Sequence, residues 1–333
     1  MKFDFVIGNP PYQDDRKGES TTAQPVYHDF MEAAYSVGTV AELITPARFL
    51  FNAGYTPKAW NQKMLNDEHL KVLEYENDAR KVFVNTDIKG GVAITYRDAN
   101  KSYEPIGVFT IYDNLNDILK KVYISSKNSN MSDVCFVASK FNMQNLCEDY
   151  PYFKNHERRM SSNVLQFEFY HDEKDENDVM IYGVCGGRRT GKYIQSKYVD
   201  LIDENISKYK IVTPKADGSG AFGSILTKPE ILPPNSGFTH TFLGIGGFDT
   251  IDSAEAALKY IKTKFARTLL SVLKITQDLN ADKWKYVPLQ DFTSQSDIDW
   301  SQSIAEIDQQ LYKKYGLSDE EIAFIETNVK EME

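Results

Sequence analysis

Apolar residues fall at two alternating spacings over the first 112 residues, and this alternation predicts strands separated by helices. Phe3 to Ile7 is a short apolar run cut off by Gly-Asn-Pro-Pro, the pattern of a buried strand ending in a rigid turn. Pro25 to Ser36 (PVYHDFMEAAYS) carries its apolar residues at helical spacing. Val40 to Ile44 reads as a second short strand closed by Thr45-Pro46, and Lys58 to Leu65 as another helix. Strand-like runs follow at Leu70 to Tyr75, at Val92 to Tyr96 behind Gly90-Gly91, and at Ile106 to Tyr112. Strands and helices in this order predict an α/β sheet with crossover helices.

Beyond that the pattern is less regular. Residues 168–178 (EFYHDEKDEND) form a charged loop before the apolar MIYGV and the glycine-rich CGGRRTGKY, and a second turn-rich stretch, PKADGSGAFGS, spans 214–224. Ser253 to Lys274 is predicted as the longest helix, with Ala254, Ala257, Leu258, Ile261, Phe265, Leu269, Val272 and Leu273 on one broad face. Ser318-Asp-Glu-Glu321 is a capping box that starts a terminal helix. The alternating pattern stops near residue 115, which divides the chain into an α/β region, 1–115, and an α+β region, 116–333.

At 333 residues, 41% hydrophobic and 13% aromatic, the chain can bury two cores of ordinary size. No stretch approaches the roughly 20 apolar residues that span a bilayer, so no membrane is expected. Asp4 interrupts the opening apolar run, which is not the pattern of a signal peptide. Cys135, Cys147 and Cys185 are far apart, which argues against a disulfide framework or a zinc site and fits a cytoplasmic location. The five histidines are scattered, so no metal constellation is expected.

The net charge of −10 counts at first against a nucleic-acid partner, but its distribution matters more. Residues 293–333 hold ten acidic and three basic residues, leaving only −3 for everything before them. Residues 186–215 hold seven basic residues against three acids, and 253–276 hold five against one. A local basic patch suffices for a phosphate backbone, although solvated helix faces have the same composition.

Asn9-Pro10-Pro11-Tyr12, at the tip of the first strand, has a specific chemical use. An enzyme that modifies a base in a duplex must first take it out of the stack, then hold it by a stacking face and by hydrogen bonds to its edge. Two prolines stiffen the loop and offer no N–H, leaving carbonyls free to accept. The Asn9 side-chain oxygen and the Pro10 carbonyl can both accept from an exocyclic amine and aim its lone pair at a methyl donor. Tyr12 can stack on the ring, a contact worth about 1–3 kcal/mol. The plainer reading is a Pro-Pro turn that closes a strand.

FDFVIGNPPY resembles motif IV of the adenine-N6 DNA methyltransferases in its Asn-Pro-Pro-Tyr form. PVYHDFMEAAYS resembles the helix after that motif, AELITPARFL the next strand and turn, and VFVNTDIKGGVAITYRD the region in which the family places a second aromatic against the flipped adenine. On that pattern Phe83 is the matching position; taken alone it would be a core residue. YKIVTPKADGSGAFG, ALKYIKTKFARTLLSVLKITQD, WKYVPLQDFT and EIDQQLYKKYGLSDEEIAFIE are similar to the C-terminal part of type IIG and type ISP restriction-modification methylases. The resemblance covers nearly the whole chain. It implies a partial Rossmann-like methyltransferase sheet in 1–115, starting at its fourth strand, and a target-recognition domain with C-terminal helices in 116–333. It further implies double-stranded DNA as partner and S-adenosylmethionine as donor, with adenine N6 as acceptor; cytosine N4, whose amine chemistry is the same, is the runner-up.

In that family the donor sits on a Phe-x-Gly-x-Gly loop some tens of residues before motif IV, whereas only eight residues precede Asn9. The expectation is therefore an incomplete donor site and a chain inactive alone, with the missing N-terminal methyltransferase portion, or a second copy, pairing against the open first strand. The rival is a non-catalytic DNA-binding specificity module. Phe242-Leu-Gly-Ile-Gly246 matches the donor pattern literally, yet SGFTHT before it and a long helix after it suit a donor loop poorly. Gly186 to Lys192 has phosphate-loop spacing, but Tyr193 stands where a Ser or Thr should bind magnesium. Arg188 and Arg189 suit guanine edges or phosphates better, and with Lys192 and Lys215 are the candidate DNA contacts; a solvated hairpin is the alternative.

Overall fold

The computed structural model describes residues 3–14, 24–52, 55–83, 88, 90–125, 129–202, 204–217, 221–274 and 277–332. The fold is mixed α/β, and the chain divides into two compact units, Met1–Asn116 and Asp117–Glu333.

The first unit runs β1 (Phe3–Gly8), α1 (Tyr27–Val37), β2 (Gly38–Pro46), α2 (Lys58–Leu65), β3 (Leu70–Glu76) and β4 (Val92–Asp98). Its sheet has the order β1-β2-β4-β3. β1 is parallel to β2, with Phe5 opposite Val40, whereas β4 is antiparallel to both β2 and β3. Thus β1, β2 and β3 point one way and β4 returns between two of them. Tyr27, Met31 and Ala34 of α1 pack with Leu43, Phe49, Trp60 and Met64 into one core. Gly91, at φ +73°, lets β4 begin hard against the end of β3; a Cβ there would stand 2.3 Å from the Glu76 carbonyl oxygen.

Two expectations fail in this unit. The run Ile106 to Tyr112 is not a strand. Its polar groups are bonded elsewhere: the Gly107 amide donates to the Leu65 carbonyl at 2.7 Å and the Thr110 amide to the Asn116 side chain at 2.7 Å. Ile106 and Phe109 pack on the core, so the run is apolar to cover helices rather than to pair. Nor is β1 buried on both faces: Phe3, Phe5 and Ile7 are 52%, 69% and 79% exposed. They alternate onto one side of an edge strand, while Val6 turns to the core.

In the second unit the elements are α3 (Asp113–Ser125), which begins just before the division, β5 (Cys135–Phe136), α4 (Met143–Asp149), β6 (Asp178–Cys185), β7 (Arg188–Gln195), β8 (Tyr209–Pro214), β9 (Glu230–Leu232), β10 (Ser236–Phe238), β11 (Phe242–Phe248), α5 (Ile251–Lys262), α6 (Lys264–Leu270), α7 (Ile304–Lys314) and α8 (Asp319–Asn328). The strands form two sheets, β10-β6-β7 and β5-β11-β8-β9.

The helix expected over Ser253 to Lys274 is broken at Thr263, whose ψ of 151° ends α5 and caps α6. The break is satisfied locally: Thr263 Oγ1 accepts from the Ala266 amide at 3.1 Å, and Asp308 accepts from the Lys264 and Phe265 amides at 2.9 Å each. The capping box at Ser318 and Glu321 forms as read, and a second, at Ser303 and Glu306, starts α7.

Candidate functional site

Because β1, β2 and β3 share a direction, their C-terminal ends lie on one edge of the first sheet, beside the start of β4. In open α/β sheets this edge is where ligands bind. Asn9 to Tyr12 leave β1 there, with Asn9 and Pro11 exposed and Pro10 and Tyr12 half-buried. The far side of the loop is pinned to the chain before α1: the Tyr12 carbonyl accepts from the Val26 amide at 3.2 Å, the Asp14 amide donates to Gln24 at 2.9 Å, and Gln13 bridges to Pro25. Backbone hydrogen bonds thus fix the position of Tyr12, while among the described residues the Pro10 carbonyl accepts from no other group.

Phe83 follows a short helical turn, Ala79–Lys81, which Asp78 caps, and its amide donates to the Ala79 carbonyl at 2.8 Å. The Tyr12 and Phe83 rings meet edge to face, centroids 6.2 Å apart at 68°. The geometry therefore brings together the two aromatics expected to face one base, but as mutual neighbours: a base entering between them must turn one ring aside. The Tyr12 hydroxyl is buried without a hydrogen bond of good geometry. Burial pushes its pKa up to about 12, against a smaller opposing pull from Asn9, so the ring is uncharged at neutral pH. Residues 84–87 and 89 of the VFVNTDIKGG stretch lie outside the described residues.

The same unit holds features that the sequence reading missed. Phe51, Tyr75 and Phe109 form an aromatic trio with centroids 5.4 to 5.6 Å apart, joining the segment after β2 to the end of β3. On α1, His28 sets its ring 5.6 Å from Trp60 and keeps Nδ1 buried without a partner. A lone His at helical spacing carries no signal in the sequence that separates this from a surface position.

The candidate DNA contacts of the second unit do not stay together. Gly186-Gly187, at φ +57° and +76°, make a two-residue hairpin turn between β6 and β7. No helix follows, so Gly186 to Lys192 is not a phosphate loop. Arg188 is exposed at the tip. Arg189 turns back, donating to Glu230 at 2.8 Å and to the carbonyls of Lys228 and Thr227. Lys192 pairs with Asp172 at 3.4 Å. Lys215 is half-buried at the end of β8, and residues 218–220 of the loop beyond it lie outside the described residues.

Phe242 to Gly246 is no donor loop either. It is the buried strand β11, and a Cβ on Gly244 would stand 2.6 to 2.7 Å from the rings of Phe238 and Phe136. The described residues therefore do not fit an S-adenosylmethionine cradle of the Phe-x-Gly-x-Gly kind. Against the expectation of no metal constellation, one histidine joins two carboxylates: His171, Asp175 and Asp178 bring three ligand-type atoms within 4.8 Å of one another. These three groups could hold a metal ion, but two of them are already paired: His171 Nε2 lies 2.6 Å from Asp178 Oδ2, which also accepts from the Asp175 backbone amide.

Residues 1–83 match the family described as Eco57I restriction-modification methylase. An uncharacterized adenine-specific methylase of Mycoplasma pneumoniae is 28% identical over 95 residues, which is 28% of this chain and 22% of that protein. The crystal structure of the type IIG restriction endonuclease BpuSI aligns with 91% of this chain and 49% of its own at 8% identity, with a TM-score of 0.31. The chain thus spans less than a quarter of the curated relative and about half of that solved structure. Residues 1–83 are thus similar to the Eco57I restriction-modification methylases, and a 95-residue stretch of the chain to an adenine-specific methylase.

Proposed function

We propose that the chain is the base-pocket and sequence-recognition portion of a site-specific DNA methyltransferase acting on adenine N6 in a restriction-modification system. The observation that carries this reading is Asn9-Pro10-Pro11-Tyr12 at the carboxyl edge of a partly parallel sheet, within the segment that matches a methylase family. Strand order is in keeping with it, since β1 lies at an edge of the sheet, where further parallel strands could be added.

In this reading Asn9 and the Pro10 carbonyl accept from the exocyclic amine of a flipped adenine. Two acceptors draw the amine's hydrogens into the loop and direct the nitrogen lone pair outward, so no general base is needed before transfer. The pinned Tyr12 offers its face to the ring, and Phe83 swings from its edge contact to cover the other side. S-adenosylmethionine would supply the methyl group from outside the residues described. The bare side of β1, with Phe3, Phe5 and Ile7, is where the portion carrying the donor site, or a second copy, would pair.

The test is transfer of labelled methyl from S-adenosylmethionine to long duplex DNA, with nucleoside analysis and parallel DNA-binding measurements. Label in N6-methyladenine, lost in Asn9→Ala, is the expected result once the donor portion is supplied. Label in cytosine would replace the adenine assignment. A second reading, a non-catalytic specificity module, is favoured by the buried strand at Phe242 to Gly246; it predicts DNA binding with no transfer under any supplementation. Neither transfer nor DNA binding would overturn both.

A further inference from the structure

We infer that Lys140, Arg159, Lys215 and His240 form one phosphate-binding patch of the second unit, fitted to the backbone of duplex DNA. The inference rests on the DNA-binding reading above and gives it a location that the hairpin at Arg188 does not supply.

Four separate segments meet at this place through backbone contacts. Lys140 and Arg159 are directly opposite in an isolated antiparallel bridge, so their side chains leave on the same side. The His240 amide donates to the Met160 carbonyl at 2.8 Å, and the Lys215 amide to the Thr241 carbonyl at 3.0 Å. Residues 140, 159, 215 and 240 are therefore neighbours, although 100 positions of sequence separate the first from the last.

Placing like charges opposite each other in a bridge is destabilising, and this cluster does so in a chain whose net charge is −10. Burial and the Arg159 guanidinium hold the Lys215 ammonium below its usual range. Burial, then Lys215 and Arg159, depress His240, against a smaller opposing effect of Glu157. Glu157, 3.6 Å from Arg159, is itself 70% exposed and screens the patch weakly. Arg158, next in sequence, is instead committed to Asp200 at 2.6 Å. A polyanion laid across the four groups relieves this mutual repulsion. It also raises the affinity of His240 for a proton, so binding takes one up.

Arg189 and Lys192, paired within the fold, serve as the contrast. The experiment is equilibrium binding of the full chain to a labelled mixed-sequence duplex over a series of salt concentrations. The combined variant Lys140→Gln, Arg159→Gln and Lys215→Gln is expected to bind at least about tenfold more weakly. Its slope of log affinity against log salt should flatten by about 0.9 for each phosphate that the variant no longer neutralises. Lys192→Gln should match the parent. Affinity of the parent should rise as pH falls below the ordinary histidine value of about 6.5, and that rise should vanish in His240→Gln. Should the combined variant fail to melt like the parent, Arg159→Gln alone carries the test, with a slope change of about 0.9 for its single phosphate. An unchanged slope in a folded variant overturns the patch while leaving DNA binding intact. No DNA binding by the parent overturns the patch together with the reading on which it rests.

Discussion

At the scale of the residue, Tyr12 combines a fixed backbone with an orphaned hydroxyl. An unpaired buried hydroxyl stabilises nothing, so Tyr12→Phe should melt at or slightly above the parent, by up to about 1 kcal/mol. If the ring acts by stacking, that variant should also keep whatever extra affinity the parent has for a duplex with a mismatched, readily flipped base. Tyr12→Ala should lose it, with a binding deficit of about 1–3 kcal/mol. A Phe variant as defective as the Ala variant would assign the role to the hydroxyl instead. Arg189 is the opposite case: its guanidinium is spent on Glu230 and two carbonyls. Arg189→Ala should lower stability in denaturant by about 1–2 kcal/mol, reduced from a buried pair's value by its partial exposure, and should leave the salt dependence of DNA binding unchanged.

At the scale of the element, strands and helices with a clean period were legible, and those whose polar groups are satisfied by distant partners were not. The first unit follows its pattern from Phe3 to Asp98 within one or two residues. Ile106 to Tyr112 misled because an apolar run gives no sign of which acceptor its own amides will find. The break at Thr263 was illegible for the same reason, since the group that makes it tolerable is Asp308, 45 positions away. The turn at Asn9 to Tyr12 was legible because two prolines end a strand locally, whereas residues 140, 159, 215 and 240 come together only from four separate segments. Burial pushes the Asp308 carboxyl up to about 6, with Glu326 adding to the rise and the two amides and Arg267 opposing it. A raised carboxyl favours the folded state when protonated. The stability it confers is complete below the unfolded value of about 3.9 and is lost as pH rises through about 6. Asp308→Asn should therefore be less stable overall, because its amide nitrogen faces a backbone donor, yet nearly flat across that window in urea titrations. A variant that keeps the parent's slope would place the titration elsewhere.

At the scale of the molecule, the consequential surface is the bare side of β1. Open strands with exposed apolar side chains invite pairing, so the parent should show concentration-dependent association in sedimentation. Phe5→Lys with Ile7→Lys should abolish it without unfolding a core that neither side chain enters. Association that survives both substitutions would locate the contact elsewhere. The boundary between the units has a different consequence. The chain passes from Met1–Asn116 into Asp117–Glu333 a single time, in the first turn of α3, just after residues 99–112, which belong to no sheet. Each unit is therefore one uninterrupted stretch of gene. On the proposed function, a single recombination after Phe109 would exchange everything beyond it, giving the same base pocket a new address on DNA while keeping the segment that covers the first core.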